Sequence, residues 1–374
     1  SFTAGANAIT LTQGGNDFTG AVSLSNSGSN DVGVTDANAI DLGTVGVGQN
    51  LTVTASGAIT DTGVATVAGT STFDNSGGSN AAIDLGSSST YTGNVTFTTD
   101  AGSNVTINDS TAFVIQSGLN VNNLNLTAGG TVTDAGNINV DGTLTVSAAG
   151  QTVTLDGAGN DLTGNVTLTG AAVTLVDTTA TAVAGITATG ALSVTSGGAI
   201  TQSGAIDADG TSSFTAGANA ITLAEATNDF TGAVSLSNSG TNDVQLRDAN
   251  ALDLGTVAAG QNLTLTTGGA LTDSGNVAVA GLATIVSTGQ AVTLGDSTTA
   301  NFGSLDFAGA AVTITENSAM AIAASEATGA LALVANGAIT QSGAIDADGT
   351  SSFTAGANAI TLAEATNDFT GAVS

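Results

Sequence analysis

The chain repeats itself, and this internal repetition constrains its fold more than any other feature. Residues 198–235 and 337–374 are identical, and residues 1–63 closely match residues 213–275. The two offsets, 139 and 212 positions, are about two and three times a unit of roughly 70 residues. A repeat of this kind is typical of a protein that stacks one small structural unit on the next.

Two short patterns mark the unit along the chain. One pattern is an aliphatic residue followed by a threonine, with a glycine three positions after the threonine. These glycines are 73, 68, 71 and 68 positions apart. We therefore predict one continuous solenoid over residues 1–374. Its super-repeat marks lie near Gly63, Gly136, Gly204, Gly275 and Gly343. The other pattern is an aromatic residue or leucine before Thr-Gly, and it begins at Phe18, Tyr91, Leu162, Phe230 and Phe369.

Short alternations of apolar and polar residues recur within each unit, as in Leu51–Val53, Val95–Phe97 and Val153–Leu155. This period of two predicts strands with one buried face. Clusters of Gly, Asn, Asp and Ser separate the alternations and supply turns. The spacing predicts an all-β, right-handed parallel β-helix with coils of roughly 18 residues, about four per super-repeat. Asn and Thr at equivalent coil positions are expected to form hydrogen-bonded ladders.

A string of antiparallel sandwich domains is the alternative fold. Such modules usually have about 100 residues and a bulky aromatic core. Here the unit is shorter and subdivides further, and the chain has no Trp and only 3% aromatic residues. The solenoid is therefore favoured.

The composition excludes several functional classes. One basic residue, Arg247, stands against 30 acidic residues, for a formal net charge of −29. Nucleic acid is excluded as a partner because phosphate binding needs clustered Lys and Arg. No stretch is long enough to insert into a membrane. His and Cys are absent, which removes the usual catalytic triads and zinc sites, so we expect no enzyme activity.

Two segments resemble the shaft repeats of filamentous-haemagglutinin-type adhesins, which are β-strand-repeat exoproteins of Gram-negative bacteria. They are GALSVTSGGAITQSG, Gly190–Gly204, and NLTVTASGAIT, Asn50–Thr60. The resemblance implies a right-handed parallel β-helix that is secreted or held at the cell surface. Both ends of the chain fall inside a repeat, so we expect it to be a portion of a longer protein.

Repeated carboxylates suggest calcium as the one candidate ligand. Two Asp-Ala-Asp-Gly turns place paired carboxylates before a glycine, and Ca²⁺ prefers oxygen ligands in tight turns. Aspartates in turns are also common without a metal, so solvated turn carboxylates are the alternative. We expect no dedicated cofactor. The candidate calcium ligands are Asp207, Asp209, Asp346 and Asp348.

Repeated aromatic residues are interpreted as structural, since copies at equivalent places in successive units form a stack of rings in the core. The predicted stack contains Phe18, Tyr91, Phe230 and Phe369. Arg247 replaces Thr35 of the first copy and is expected at the surface.

Two functions follow as hypotheses. The first is an extracellular rod or fibre component that provides length, stiffness and protease resistance, and that assembles with itself end to end or laterally. The second is an adhesin shaft that binds a surface glycan or a protein receptor, with calcium as a stabilising ion.

Overall fold

A computed structural model of the chain describes residues 1–78 and 80–374. These residues form strands, turns and bends, with no helix among them. The described part therefore contains no helix that could cross a membrane. The all-β prediction is confirmed.

The chain divides into two compact units, Ser1–Ala182 and Val183–Ser374. The strands that begin in the first unit are β1 (Phe2–Gly5), β2 (Ile9–Leu11), β3 (Val22–Asn26), β4 (Val32–Asp36), β5 (Ile40–Val47), β6 (Leu51–Ala55), β7 (Ile59–Asp61), β8 (Ala65–Val67), β9 (Ser71–Asp74), β10 (Ile83–Tyr91), β11 (Val95–Thr98), β12 (Asn104–Asp109), β13 (Phe113–Ile115), β14 (Asn120–Val121), β15 (Asn123–Ala128), β16 (Val132–Asp134), β17 (Asn139–Val140), β18 (Leu144–Ser147), β19 (Val153–Leu155), β20 (Asp161–Leu162), β21 (Asn165–Gly170), β22 (Val173–Asp177) and β23 (Thr181–Ala188).

The remaining strands belong to the second unit. They are β24 (Leu192–Ser196), β25 (Ile200–Gln202), β26 (Ile206–Ala208), β27 (Ser212–Thr215), β28 (Ile221–Leu223), β29 (Asp229–Phe230), β30 (Val234–Ser237), β31 (Val244–Asp248), β32 (Leu252–Ala259), β33 (Leu263–Thr267), β34 (Leu271–Asp273), β35 (Val277–Val286), β36 (Val292–Leu294), β37 (Ala300–Gly309), β38 (Val312–Glu316), β39 (Met320–Ile322), β40 (Ser325–Ala327), β41 (Leu331–Ala335), β42 (Ile339–Gln341), β43 (Ile345–Ala347), β44 (Ser351–Thr354), β45 (Ile360–Thr361) and β46 (Asp368–Phe369).

Each strand pairs in parallel with the equivalent strand of the next coil. Val32 aligns with Leu51, and Leu51 aligns with Ser71. In the second unit, Val292 aligns with Val312, and Val312 aligns with Leu331. Each unit is therefore a β-solenoid with about 20 residues in each turn. The predicted solenoid is confirmed, with coils slightly longer than the expected 18 residues.

The alternation in the sequence sets which side chains enter the core. In β6, Leu51, Val53 and Ala55 are buried, whereas the threonines between them face outward. Successive side chains of a strand point to opposite faces, so every second residue meets its counterparts from the other sides of the coil. The core is consequently a thin column of aliphatic side chains within each unit.

Glycines at the coil corners allow the chain to approach the coil before it. A Cβ atom on Gly164 would lie 1.9 Å from the carbonyl oxygen of Gly142. Any side chain at that position would collide with backbone, because real Cβ contacts are far longer. The close stacking of coils thus requires glycine at this corner.

Side-chain ladders run from coil to coil, as predicted. Asn123 donates its amide to Asn104 Oδ1 at 2.7 Å, and Thr143 N–H donates to Asn123 Oδ1 at 2.6 Å. Asn50 similarly donates to Asp31 and accepts from Thr70. The bonds from Thr143 and Thr70 satisfy backbone N–H groups at the coil corners, and the others join side chains of neighbouring coils.

Candidate functional site

The four candidate calcium ligands lie on the surface. Asp207 and Asp346 are outward-facing residues of β26 and β43, and Asp209 and Asp348 follow in exposed turns. The described residues contain no group of three or more acidic, His or Cys side chains placed to hold a metal ion. Calcium at these aspartates stays a prediction, which a calcium titration followed by melting temperature would test.

The repeated aromatic rings form separate pairs rather than the continuous stack that we predicted. Each ring of the Thr-Gly marker lies edge-on against a phenylalanine of its own super-repeat. Ring centroids are 5.8 to 6.0 Å apart and the planes are inclined by 78 to 87°. The pairs are Phe2–Phe18, Phe73–Tyr91, Phe214–Phe230 and Phe353–Phe369.

Rings of different super-repeats do not touch one another because they lie too far apart along the stack of coils. Rings one super-repeat apart are separated by three to four coils of about 4.8 Å, which is too far for ring contact. Tyr91 and Phe230 are buried, as expected of core rings. Phe18 and Phe369 are only partly buried, because the first and last coils are covered on one side.

A second repeated position buries a carboxyl group in each super-repeat. Each of these acidic residues is the last inward-facing residue of its strand and is only 1% exposed. They are 73, 68, 71 and 68 positions apart, the same intervals as the glycine marks. We call them the acidic series; its members are Asp36, Asp109, Asp177, Asp248 and Glu316.

Each member of the acidic series joins two neighbouring coils by hydrogen bonds. Asp36 accepts from Phe18 N–H of the preceding coil at 3.0 Å and from Asn38 N–H in its own turn at 2.8 Å. Asp109, Asp177 and Asp248 accept from the same two kinds of backbone donor. Glu316 accepts from Phe302 N–H of the preceding coil and, in its own turn, from the Ser318 hydroxyl. The backbone donors from the preceding coil are Tyr91, Leu162, Phe230 and Phe302.

Asp177 has the most complete set of partners. One of its oxygens accepts from Leu162 N–H at 3.2 Å and from both the N–H and the hydroxyl of Thr179 at 3.0 Å. Its other oxygen accepts from the Thr181 hydroxyl at 3.0 Å. Several bonds to donors offset the free energy of removing a carboxylate from water.

Three other members have an oxygen with no partner. Oδ2 of Asp109, Oδ2 of Asp248 and Oε2 of Glu316 are buried and make no hydrogen bond in the described structure. Burial raises the pKa of all three carboxyls above the ordinary value, against the lowering effect of their backbone hydrogen bonds. These groups therefore hold a proton more tightly in the folded chain than in the unfolded one.

Asparagines beside the aromatic pairs extend these links to a third coil. Asn228 is fully buried, accepts from Ile206 N–H at 2.9 Å and donates to Gln202 Oε1 at 2.9 Å. It also donates to the carbonyl of Arg247 at 3.1 Å, one coil further along. Asn160 and Asn367 make the corresponding bonds to the preceding coil. We call Asn160, Asn228 and Asn367 the amide series.

Together the two series join consecutive coils by buried polar hydrogen bonds, the acidic series in five super-repeats and the amide series in three. Their hydrogen bonds hold backbone N–H groups of neighbouring coils in place, and the buried carboxyls bind protons.

A concavity of about 380 Å³ lies on the second unit. It is lined by small residues that include Ala258, Gly260 and Ala280, and it has no titratable group in its wall. The only basic residue, Arg247, is exposed, as predicted.

Our sequence reasoning missed both series. Their signal was present, since an aliphatic-x-Asp turn recurs at the intervals of the glycine marks. We interpreted repeated aspartates as solvated turn residues because carboxylates are rarely buried. The intervals alone do not tell a buried carboxylate from an exposed one.

These features define the class: a parallel β-solenoid repeat protein whose coils are joined by buried polar side chains. The chain belongs to a family described as repeats of unknown function (DUF5649). Its segments from the second onward start 73, 68, 71 and 68 positions apart, which are again the super-repeat intervals. The matched residues are 1–25, 29–101, 102–169, 170–237, 241–306 and 309–374. No curated protein and no solved structure matches the chain.

Proposed function

We propose that this chain is a structural segment of a secreted bacterial surface protein, providing length, stiffness and protease resistance. The observation that carries the proposal is the recurrence of the acidic and amide series in the super-repeats. Both series join coils that already share backbone hydrogen bonds. A selected structural element is repeated, whereas a catalytic centre is normally built once. We accordingly propose no enzyme activity.

The resemblance to filamentous-haemagglutinin-type shafts supports the same proposal. Such shafts are parallel solenoids that extend from the cell, and the coil stacking here is of that kind. The net charge of −29 keeps neighbouring copies apart unless a specific contact joins them. Export and surface location belong to this proposal.

Resistance to proteolysis follows from two features of the chain. A single basic residue leaves trypsin-like proteases almost no cleavage site. Proteases of broader specificity need an extended, accessible segment, and the coil-to-coil hydrogen bonds hold most of the backbone. Exposed turns, such as the one around Gly289, are the expected first cleavage sites.

Electron microscopy and digestion with a broad-specificity protease test this proposal. We expect elongated particles without added ligand, and a half-life of cleavage that falls sharply when Asp177 and Asp248 are both replaced by alanine. The matched control replaces the exposed Asp156 and Asp209 by alanine and should digest like the original chain. Round particles, or rapid digestion of the unmodified chain, would contradict the proposal.

An adhesin shaft is the second candidate. The observation that favours it is the open concavity of about 380 Å³ on the second unit, whose small side chains leave backbone accessible to a partner. Saturable binding of the isolated chain to a panel of surface glycans or to host-cell proteins would support it. Binding that survives Ala258→Trp, which places a large ring on the outward side of β32 within the concavity, would exclude this surface.

A further inference from the structure

One outward face of the first unit is built almost entirely from threonine. It belongs to the sheet formed by β2, β4, β6, β9 and β11. The inward residues of these strands are apolar except for Asp36 and Ser71, and the outward positions alternate with them. We call this surface the threonine face; its threonines are Thr10, Thr35, Thr52, Thr54, Thr72, Thr96 and Thr98.

The threonines lie in two aligned rows. In one row Thr52 aligns with Thr72, and Thr72 with Thr96. In the other, Thr35 aligns with Thr54. No register shift interrupts the pairing of these five strands, unlike the pairing of β3 with β5. Neighbouring threonines within a row are therefore about 4.8 Å apart, from coil to coil, and the two rows are about 6.6 Å apart along each strand.

The hydroxyls of the threonine face are available to solvent. Among the described residues, none of these seven hydroxyls makes a hydrogen bond to another protein group. Each hydroxyl can donate one and accept two hydrogen bonds, and the adjacent methyl group restricts the water around it.

The threonine face is nearly uniform in side-chain chemistry. Asp74 is the only acidic residue in the two rows, and Gly33 is the only other interruption. The remaining seven positions are all threonine, so the face presents an array of identical hydroxyl and methyl groups.

We propose that the threonine face binds ice. Its two spacings are close to repeat distances between water oxygens on the faces of hexagonal ice, so water held by the hydroxyls is arranged as part of that lattice. A repeating array gains many weak contacts at once, because ordering the first contact places the others. Sugar polymers fit less well, since the ring residues Phe73 and Phe97 occupy inward positions and leave no aromatic platform outside.

The chain contains its own comparison surface. Residues 213–275 repeat residues 1–63, and the copy of the threonine face lies on β28, β31, β33 and β35. In that copy Gln245 replaces Gly33, Arg247 replaces Thr35 and Val286 takes the place of Asp74. Two long polar side chains therefore project through the array, and we expect this copy to bind ice poorly.

Inhibition of ice recrystallisation by the full chain tests the proposal, with thermal hysteresis as a second measurement. We expect activity above that of an unrelated acidic protein at equal concentration. The double variant T52Y/T96Y should lose most of this activity, because bulky rings lift the face from the lattice.

The matched control is Thr264→Tyr, which places the same ring at the equivalent position of the second copy and should leave activity unchanged. Circular dichroism and melting temperature establish that each variant is folded. Absence of activity in the unmodified chain, or equal activity in T52Y/T96Y, would overturn the proposal.

Discussion

Ionised side chains are costly to remove from water, and each costs several kcal/mol unless hydrogen bonds replace the lost solvent. This chain buries a carboxyl at the same position of five super-repeats and surrounds it with hydrogen-bond donors from two coils, at least one of them a backbone N–H. Since those N–H groups have lost water too, the carboxyl and its donors depend on one another. Removing the acid therefore leaves several buried donors without a partner.

Replacing Asp177 by alanine tests this dependence. The loss of four accepted hydrogen bonds is expected to cost about 3 kcal/mol. Hydrogen exchange should accelerate at the amides of Leu162 and Thr179, as read from peptide mass spectra. Asp156→Ala, at an exposed position, serves as the control and should stay within about 0.5 kcal/mol of the original chain. Equal exchange in the two variants would count against the acidic series as a stabilising device.

The acidic series also predicts how stability depends on pH. The pKa values of Asp109, Asp248 and Glu316 are raised by burial, so the folded chain binds more protons than the unfolded chain between the ordinary and the raised values. Their contribution to stability is full below the ordinary value and is lost as the pH rises through the raised one. The melting temperature should accordingly rise when the pH is lowered from neutral towards 5.

Relief of general charge repulsion acts in the same direction, so a variant is needed to separate the two effects. In D109N/D248N/E316Q the amide nitrogen replaces the oxygen that lacks a partner, and the pH dependence should become shallower. The same slope in both proteins would assign the effect to overall charge alone.

Strands and coils follow closely from the sequence, because alternation of apolar and polar residues decides which face of a strand is buried. The aromatic positions did not follow. Phe18, Tyr91 and Phe230 were correctly identified as copies of one repeated position, but ring contacts depend on how many coils separate them. That number follows from coil length, which turn residues determine only approximately.

The buried carboxyls were missed although the alternation marks them. Asp248 is on the inward phase set by Val244 and Leu246, whereas the exposed Asp209 is on the outward phase that follows Ala208. The rule that carboxylates stay in water outweighed this pattern, because the sequence does not show the backbone donors that the neighbouring coil supplies. The right-handed sense of the coil stays a prediction from the rule for parallel crossovers.

The ring pairs allow a prediction about one element of the super-repeat. The third super-repeat has Val146 and Leu162 where four others have two rings, so an aliphatic residue fits this site. Phe230→Leu should cost about 1 kcal/mol, whereas Phe230→Ala should cost about 3 to 5 kcal/mol through the cavity it leaves. Thermal unfolding of both variants provides the comparison, and equal losses would mean that the ring edge contact, rather than volume, dominates.

Within each compact unit, the protein is a series of near-equal coils in which each coil is stabilised chiefly by its neighbours. Stability of such proteins is approximately a sum of local and nearest-neighbour contributions, so a damaged coil weakens its surroundings first. The two compact units each contain this pattern. Continuity of one solenoid over residues 1–374 stays a prediction.

Coil-by-coil stacking fixes distances that a spin-label experiment can measure. The chain has no cysteine, so labels attach only at introduced sites. Ser193 on β24 and Ser352 on β44 are joined through eight consecutive strand pairings within the second unit. At about 4.8 Å per coil, Ser193→Cys with Ser352→Cys should give one narrow distance of about 40 Å by double electron–electron resonance. A much shorter distance, or a broad distribution in the folded protein, would contradict the stacked solenoid.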